Sequence, residues 1–322
     1  MRIWRPPNRN SHTQAHGEGG ESLRAFRQTR TSWAFVLSRR MSRLSNTMTH
    51  DRNTVAVVVP LYKGELDSDE QISHRQLVHF LGKFDKYLVS PQSLEFSLED
   101  FEVQRFQDEF FHSTGTYSAL LLSREFYQAF ADYKYILIYQ LDCLVFSDQL
   151  LDWCARDLDY VGAPWFAADG IDFVQEEAVG NGGFSLRKVA SFLSVIDSPD
   201  FAGEIQKYRD ALCAARPWYV QLSSLPRKLR RRRSLSLAKR QDILGQMAPV
   251  PPGERLNEDC FWSFKAGDYL PDFRIASVAE ALRFSFEKAP RRCFERSGGQ
   301  LPFGCHAWNK YDRQFWEPFL LK

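Results

Sequence analysis

The 322-residue chain is 44% hydrophobic and 14% aromatic, enough for one large or two small packed domains, and its net charge of +2 argues against a specific nucleic-acid partner. No run approaches the roughly 18 consecutive apolar residues of a membrane span. The six cysteines show neither a CxxC nor a paired spacing, which points to buried, reduced thiols and a cytoplasmic setting.

Charge is unevenly placed. Residues 1–48 hold nine arginines and only two acids, a net of +7. With so few apolar residues this segment reads as a disordered basic arm, domain 1–50, or as an upstream extension, with a targeting peptide the lesser reading. The fold is expected to begin near Asn53. Val55–Val59 is a β-branched run ending in Pro60, a first, central strand of a parallel sheet, with Leu61-Tyr62-Lys63-Gly64 as its loop. Ser68-Asp69-Glu70-Gln71 has capping-box spacing before a helix with Leu77, Phe80, Leu81 and Phe84 on one face. Lys86–Val89 reads as a short strand stopped by Ser90-Pro91, and Thr116–Phe130 as a helix with Tyr117, Leu120 and Leu121 inward.

Tyr135–Leu141 is the strongest strand signal and ends on one acid, Asp142, with Gln140 two positions before it. A carboxylate at the end of a central strand lies in the crevice where open α/β sheets bind ligands, and it is a hard ligand for a divalent cation. A structural acid paired with loop amides satisfies the same pattern. Ser147 is expected to cap a helix carrying Leu150, Leu151 and Cys154, and Tyr160–Ala163 and Gly183–Leu186 to be strands. This alternation implies a mostly parallel sheet with helices on both faces. From about 200 to 253 the pattern breaks into a basic insertion, with eight positive charges and no acid between 227 and 240. Such a run contacts an anionic acceptor or, peripherally, a membrane surface; more often it is a solvated loop.

Three further blocks carry chemistry. Val179-Gly180-Asn181-Gly182-Gly183 lets backbone approach a ligand closely, and Asn181 offers a donor and an acceptor to sugar hydroxyls. An ordinary turn before a strand reads the same way. Asn257-Glu258-Asp259 opens a helix, where acids serve as dipole partners or, functionally, as a general base. His306, in Pro302–Trp308, is either a satisfied loop histidine or the partner of Asp142 in a mixed nitrogen and oxygen site suited to Mn²⁺ or Mg²⁺.

In this order, YSALLLSREFY (117–127), YILIYQLDCLVF (135–146), VGAPW (161–165), VGNGGFSLR (179–187), NEDCFWS (257–263) and PFGCHAW (302–308) resemble the family catalogued as domain of unknown function 5672, which looks like a GT-A-type glycosyltransferase. The resemblance spans about residues 54–319 and implies one GT-A-like catalytic domain, 51–322. It implies a nucleotide-sugar donor, a glycan or other hydroxyl-bearing acceptor, and a divalent cation, Mn²⁺ or Mg²⁺, held by Asp142 and His306. The Asp-x-Asp motif of that fold is here Gln-x-Asp, which leaves the contact made by Gln140 in question. The resemblance further places Asn181, Gly182 and Gly183 beside the donor sugar, Pro60, Leu61 and Tyr62 at the nucleoside base, and the base catalyst at Asp259 or Glu258, with Asp259 preferred. Two other classes stay open: a non-catalytic nucleotide-sugar or glycan-binding module, and a metal-dependent phosphoryl-transfer or hydrolytic enzyme. The chain has no P-loop, which counts against an ordinary nucleotide kinase.

Overall fold

A computed structural model describes residues 53–167, 177–201 and 257–321. The expected basic arm and nearly all of the expected basic insertion lie outside the described residues. Within them the chain runs β1 (Val55–Pro60), α1 (Ser68–Leu81), β2 (Asp85–Pro91), β3 (Glu102–Phe106), α2 (Thr114–Leu121), α3 (Arg124–Gln128) and β4 (Tyr135–Tyr139). It continues through β5 (Leu144–Val145), α4 (Leu150–Ala155), β6 (Tyr160–Val161), β7 (Ala163–Phe166), β8 (Glu177–Gly180), β9 (Phe184–Lys188) and α5 (Val189–Ile196). The last part holds α6 (Glu258–Phe264), α7 (Ala266–Tyr269), α8 (Val278–Phe284), β10 (Ser285–Phe286), α9 (Pro290–Arg296), β11 (Gly304–Cys305) and α10 (Arg313–Trp316).

The main sheet has strand order β3-β2-β1-β4-β9-β6. β1 pairs in parallel with both β2 and β4, and β2 with β3. β9 runs antiparallel to both its neighbours. The architecture is therefore α/β with a mostly parallel central sheet. β1 and β4 are continuously apolar because both of their faces are covered. Val55, Val57 and Val59 pack on one side with Leu77 and Leu81 of α1 and Phe284 of α8. Ala56 and Val58 pack on the other with Leu120, Phe126 and Tyr127 of α2 and α3 and Phe192 of α5. Each valine, leucine or phenylalanine among them, taken fully out of water, contributes about 1.5–3 kcal/mol before its ordering entropy is subtracted.

Local details depart from the expectation where two signals compete. The cap of α1 is Asp67, whose carboxylate accepts from the Asp69 and Glu70 amides at 3.0 and 3.1 Å, while Glu70 accepts from the Asp67 amide at 2.8 Å. Asp67 and Glu70 have the same spacing as Ser68 and Gln71, one residue earlier, and ionised carboxylates make the stronger bonds. The expected helix 116–130 is two helices, because the Ser123 hydroxyl accepts from the Phe126 amide at 3.2 Å and restarts the chain as α3. Ser147 caps nothing: α4 starts at Leu150, without a side-chain cap. β4 stops at Tyr139, two residues short of the expected end.

Two small sheets complete the site's surroundings. β10, β11 and β5 form one, with β11 parallel to β10 and antiparallel to β5. β7 and β8 form an antiparallel pair. The small sheet containing β5 carries the chain back to the end of β4.

Candidate functional site

Parallel pairing puts the C-terminal ends of β1 and β4 on one edge of the sheet, so the loop after Pro60 and the turn after Tyr139 are neighbours. The turn is rigid. The Gln140 amide donates to the Gly183 carbonyl and the Cys143 amide to the Gln140 carbonyl, both at 2.9 Å. The buried Tyr139 hydroxyl is within 3.0 Å of the Ser73 carbonyl and 3.1 Å of the Cys143 carbonyl. Asp142 sits on this turn with its side chain 35% exposed.

His306 reaches Asp142 because β11 pairs with β5, which starts two residues after Asp142; the Trp308 amide also donates to the Asp142 carbonyl at 3.1 Å. The imidazole Nε2 lies 3.4 Å from Asp142 Oδ1 and 3.3 Å from Gln140 Oε1. Nδ1 lies 3.1 Å from Glu287 Oε1 and 3.2 Å from Asn181 Nδ2. Burial of the ring favours the neutral imidazole, but the carboxylates of Asp142 and Glu287 outweigh it and hold the pKa well above the ordinary histidine value.

The paired glycines make room for this arrangement. A Cβ on Gly183 would fall 2.2 Å from His306 Nε2, and one on Gly182 would fall 3.0 and 3.1 Å from the two oxygens of Glu258. The glycines thus admit protein side chains on this side. Asn181 is 1% exposed and is engaged within its own loop. Its Oδ1 accepts from the Gly183 and Phe184 amides, both at 2.8 Å, and its Nδ2 faces His306. This corrects the expectation that its amide is presented to sugar hydroxyls: two backbone donors that would otherwise be buried unsatisfied claim the oxygen.

The two acids of α6 have different surroundings. Glu258 is 4% exposed and is ion-paired to the fully buried Arg187, Oε1 to Nη2, at 2.7 Å. Arg187 also donates to the Tyr127 hydroxyl at 2.9 Å and the Ser185 hydroxyl at 3.0 Å. Asp259 is partly buried, and its Oδ1 accepts from the Cys260 amide at 2.9 Å. Burial first, and then the like charges of Glu258 and Glu287, push its pKa up to about 7.

On the far rim Leu61 is in the core at 2% exposure, which corrects its expected contact with a nucleoside base. Pro60, the last residue of β1, is half-buried and pairs with Val89. Tyr62 is 52% exposed and offers an aromatic face. Its hydroxyl pKa is raised, by partial burial first and by several carboxylates including Asp142, so it stands near the Asp142 turn.

Two side chains of this site were missed from the sequence. Tyr117, expected on the inward face of a helix, is half-buried and lies near the Gln140 side chain and Glu258. Glu287 follows a two-residue strand and belongs to no recognisable motif.

Asp142, Cys143 and His306 place one ligand atom each within 4.8 Å of one another. The Cys143 thiol donates to the Gly183 carbonyl at 3.3 Å, and burial, then the Asp142 charge, push its pKa well up, so it is a poor ligand beside the other two. The carboxylate and imidazole fit a cation. Their 3.4 Å separation would let both be ligands of one ion. The Gln140 side-chain oxygen, Oε1, adds a neutral oxygen on the same side of the ring.

The family described as "Protein of unknown function (DUF5672)" matches residues 100–306, more than half of the chain. The chain belongs to the DUF5672 family. The match includes the Asp142 turn and ends on His306; β1 and the loop after it lie outside it. No curated protein matches. Solved structures similar to this DUF5672 chain include core-mannan synthase A (CmsA/Ktr4) from Aspergillus fumigatus in its Mn/GDP form, at 11% identity and TM-score 0.35, covering 52% of this chain and 66% of that one. Others are galactosyltransferase LgtC with donor and acceptor sugar analogs, at 12% identity and TM-score 0.44, covering 82% and 93%, and the apo bifunctional glycosyltransferase WbbM, at 9% and 0.41, covering 83% and 48%. The chain thus spans just under two thirds of the synthase and about half of WbbM.

Proposed function

We propose that this chain is a metal-dependent glycosyltransferase of the GT-A type, moving a sugar from a nucleotide-sugar donor to a hydroxyl of a glycan or similar acceptor. The observation that carries the reading is the 3.4 Å approach of Asp142 and His306 at the C-terminal end of β4. That edge of a parallel sheet is where open α/β folds bind nucleotides.

Asp142 Oδ1 and His306 Nε2 would hold the cation, Mn²⁺ or Mg²⁺. When bound, it supplies Lewis-acid stabilisation of the departing nucleoside diphosphate. The protein's own groups do the rest. The exposed ring of Tyr62 offers a stacking surface to the nucleoside base. Asp259 takes the proton of the acceptor hydroxyl as that oxygen bonds to the anomeric carbon and the bond from that carbon to the diphosphate oxygen breaks. A carboxylate with a pKa of about 7 is matched to that task near neutral pH. Glu258 fits it poorly, because its carboxylate is buried and committed to the Arg187 guanidinium, out of reach of an acceptor hydroxyl. Glu258 instead fixes the start of α6, and with it the position of Asp259.

The test is a thermal-shift screen of nucleoside diphosphates and nucleotide-sugars with and without Mn²⁺, on the wild-type chain and on Asp142→Asn. Linkage raises the melting temperature for a specific ligand. The reading expects one nucleotide to stabilise the wild type only with Mn²⁺, and Asp142→Asn to lose that shift. Equal shifts with and without Mn²⁺, or an unchanged Asp142→Asn, would remove the metal from the account.

A further inference from the structure

The side of His306 turned away from Asp142 holds a second acid that no motif announces. Glu287 directly follows β10, and His306 directly follows β11. The two strands pair in parallel with Ser285 opposite Gly304 and Phe286 opposite Cys305, so Glu287 and His306 occupy the next rung. The His306 amide donates to the Phe286 carbonyl at 3.0 Å, which fixes the backbone at that rung. The Glu287 side chain is 15% exposed, and its Oε1 lies 3.1 Å from Nδ1.

Nδ1 has two partners of opposite kind. Glu287 is an acceptor. Asn181 presents a donor, because its Oδ1 is committed to the Gly183 and Phe184 amides. A bare Nδ1 would accept from Asn181 and leave the ring proton on Nε2, aimed at Asp142 and Gln140. In the neutral ring that a cation requires, a proton on Nδ1 donates to Glu287 and leaves the Nε2 lone pair on the Asp142 side. Only the second arrangement can bind a cation there.

We propose that Glu287 is the positioning residue of the cation site: it holds the Nδ1 proton of His306 and so presents the Nε2 lone pair to a divalent cation shared with Asp142. This rests on the metal reading above. A carboxylate behind a histidine ligand fixes the ring's tautomer and orientation and makes the coordinating nitrogen a better donor, and losing such a partner typically weakens metal binding about 10–100-fold. Glu287 need not touch substrate to have this effect.

The experiment measures Mn²⁺ affinity of the full chain by electron paramagnetic resonance for wild type, Asp142→Asn, Glu287→Ala and the near-isosteric Glu287→Gln. Metal-free melting temperatures are recorded alongside. The expected result is Mn²⁺ binding about 10–100-fold weaker in Glu287→Ala, an intermediate loss in Glu287→Gln, and a metal-free chain that still melts cooperatively in both. Chemical shifts of ¹⁵N-labelled histidine, with diamagnetic Zn²⁺ as probe, should show Nδ1 protonated and Nε2 ligated in the wild type. A bare Nδ1 in the Zn²⁺ complex overturns the proposal even if both variants unfold. Wild-type affinity in Glu287→Ala, with Asp142→Asn impaired, overturns the role of Glu287 and leaves the metal site standing. A wild type that binds no Mn²⁺, or an Asp142→Asn that binds it normally, overturns the underlying reading and this proposal with it.

Discussion

Replacing Gly183 by alanine should damage the cation site far more than the fold. Gly183 has no positive φ, so its backbone accepts an L-residue, and the effect of a methyl group is one of space. That methyl would lie 2.2 Å from His306 Nε2, 2.4 Å from Cδ2 and 2.8 Å from Cε1. Favourable heavy-atom separations are about 3.5–4.0 Å, so the ring must retreat by more than about 1 Å. It is held at Nδ1 by Glu287 and Asn181 at 3.1 and 3.2 Å, so retreat also disrupts those contacts. Overpacking of this kind typically costs about 1–3 kcal/mol, and a misplacement of about 1 Å in a catalytic group can cost about 10²-fold in rate. Mn²⁺ titration and thermal melting of Gly183→Ala should show at least a tenfold loss of affinity with a modest fall in melting temperature. Gly182→Ala, whose methyl would meet Glu258 at 3.0 Å, should leave Mn²⁺ binding nearly intact. Unchanged Mn²⁺ affinity in Gly183→Ala would refute the inference that the His306 ring occupies this cradle when the cation binds.

Other outcomes follow from the same geometry. Asp259→Asn should lose turnover by about 10²–10⁴-fold while keeping donor binding, measured by steady-state kinetics beside calorimetry; near-normal turnover, or a product that retains anomeric configuration, would place the base elsewhere. Glu258→Gln should lose mainly stability, on the order of 3–5 kcal/mol by denaturant unfolding, because it leaves Arg187 buried without its counter-charge. Since Asp259 must be ionised to accept a proton and its pKa is about 7, kcat/KM should fall as pH drops through about 7; positive charge from a bound cation moves that limb lower, and the limb should vanish in Asp259→Asn. A chain truncated to start near His50 should keep its melting temperature, since the composition of residues 1–48 does not support a packed core.

What could be read from the sequence follows from where the physical signal is local. β1 and β4 were legible because strands covered on both faces are continuous apolar runs, as Val55–Val59 and Tyr135–Tyr139 are. β3 was not, because at the sheet's edge it buries only Phe106 fully and so shows no pattern. The break between α2 and α3 turns on one hydroxyl, that of Ser123, inside an otherwise periodic stretch. Asp142 and His306 stood out as lone polar groups in apolar blocks, and the folded chain brings them together. Glu287 and Tyr117 were invisible because their importance lies in neighbours distant in sequence, His306 19 residues on for Glu287 and Glu258 for Tyr117. Asn181 was misassigned because its partners are backbone groups, and a side chain clamping its own loop looks in sequence like one offered to a ligand.

The most direct test of the central claim is release of nucleoside diphosphate from a matched nucleotide-sugar and hydroxyl acceptor, followed as a function of Mn²⁺ in wild type and Asp142→Asn. The account predicts acceptor-stimulated release that saturates with Mn²⁺ in the wild type and falls to background in Asp142→Asn, whose metal-free far-UV circular dichroism matches the wild type. Release that ignores Mn²⁺, or that persists undiminished in Asp142→Asn, would contradict it.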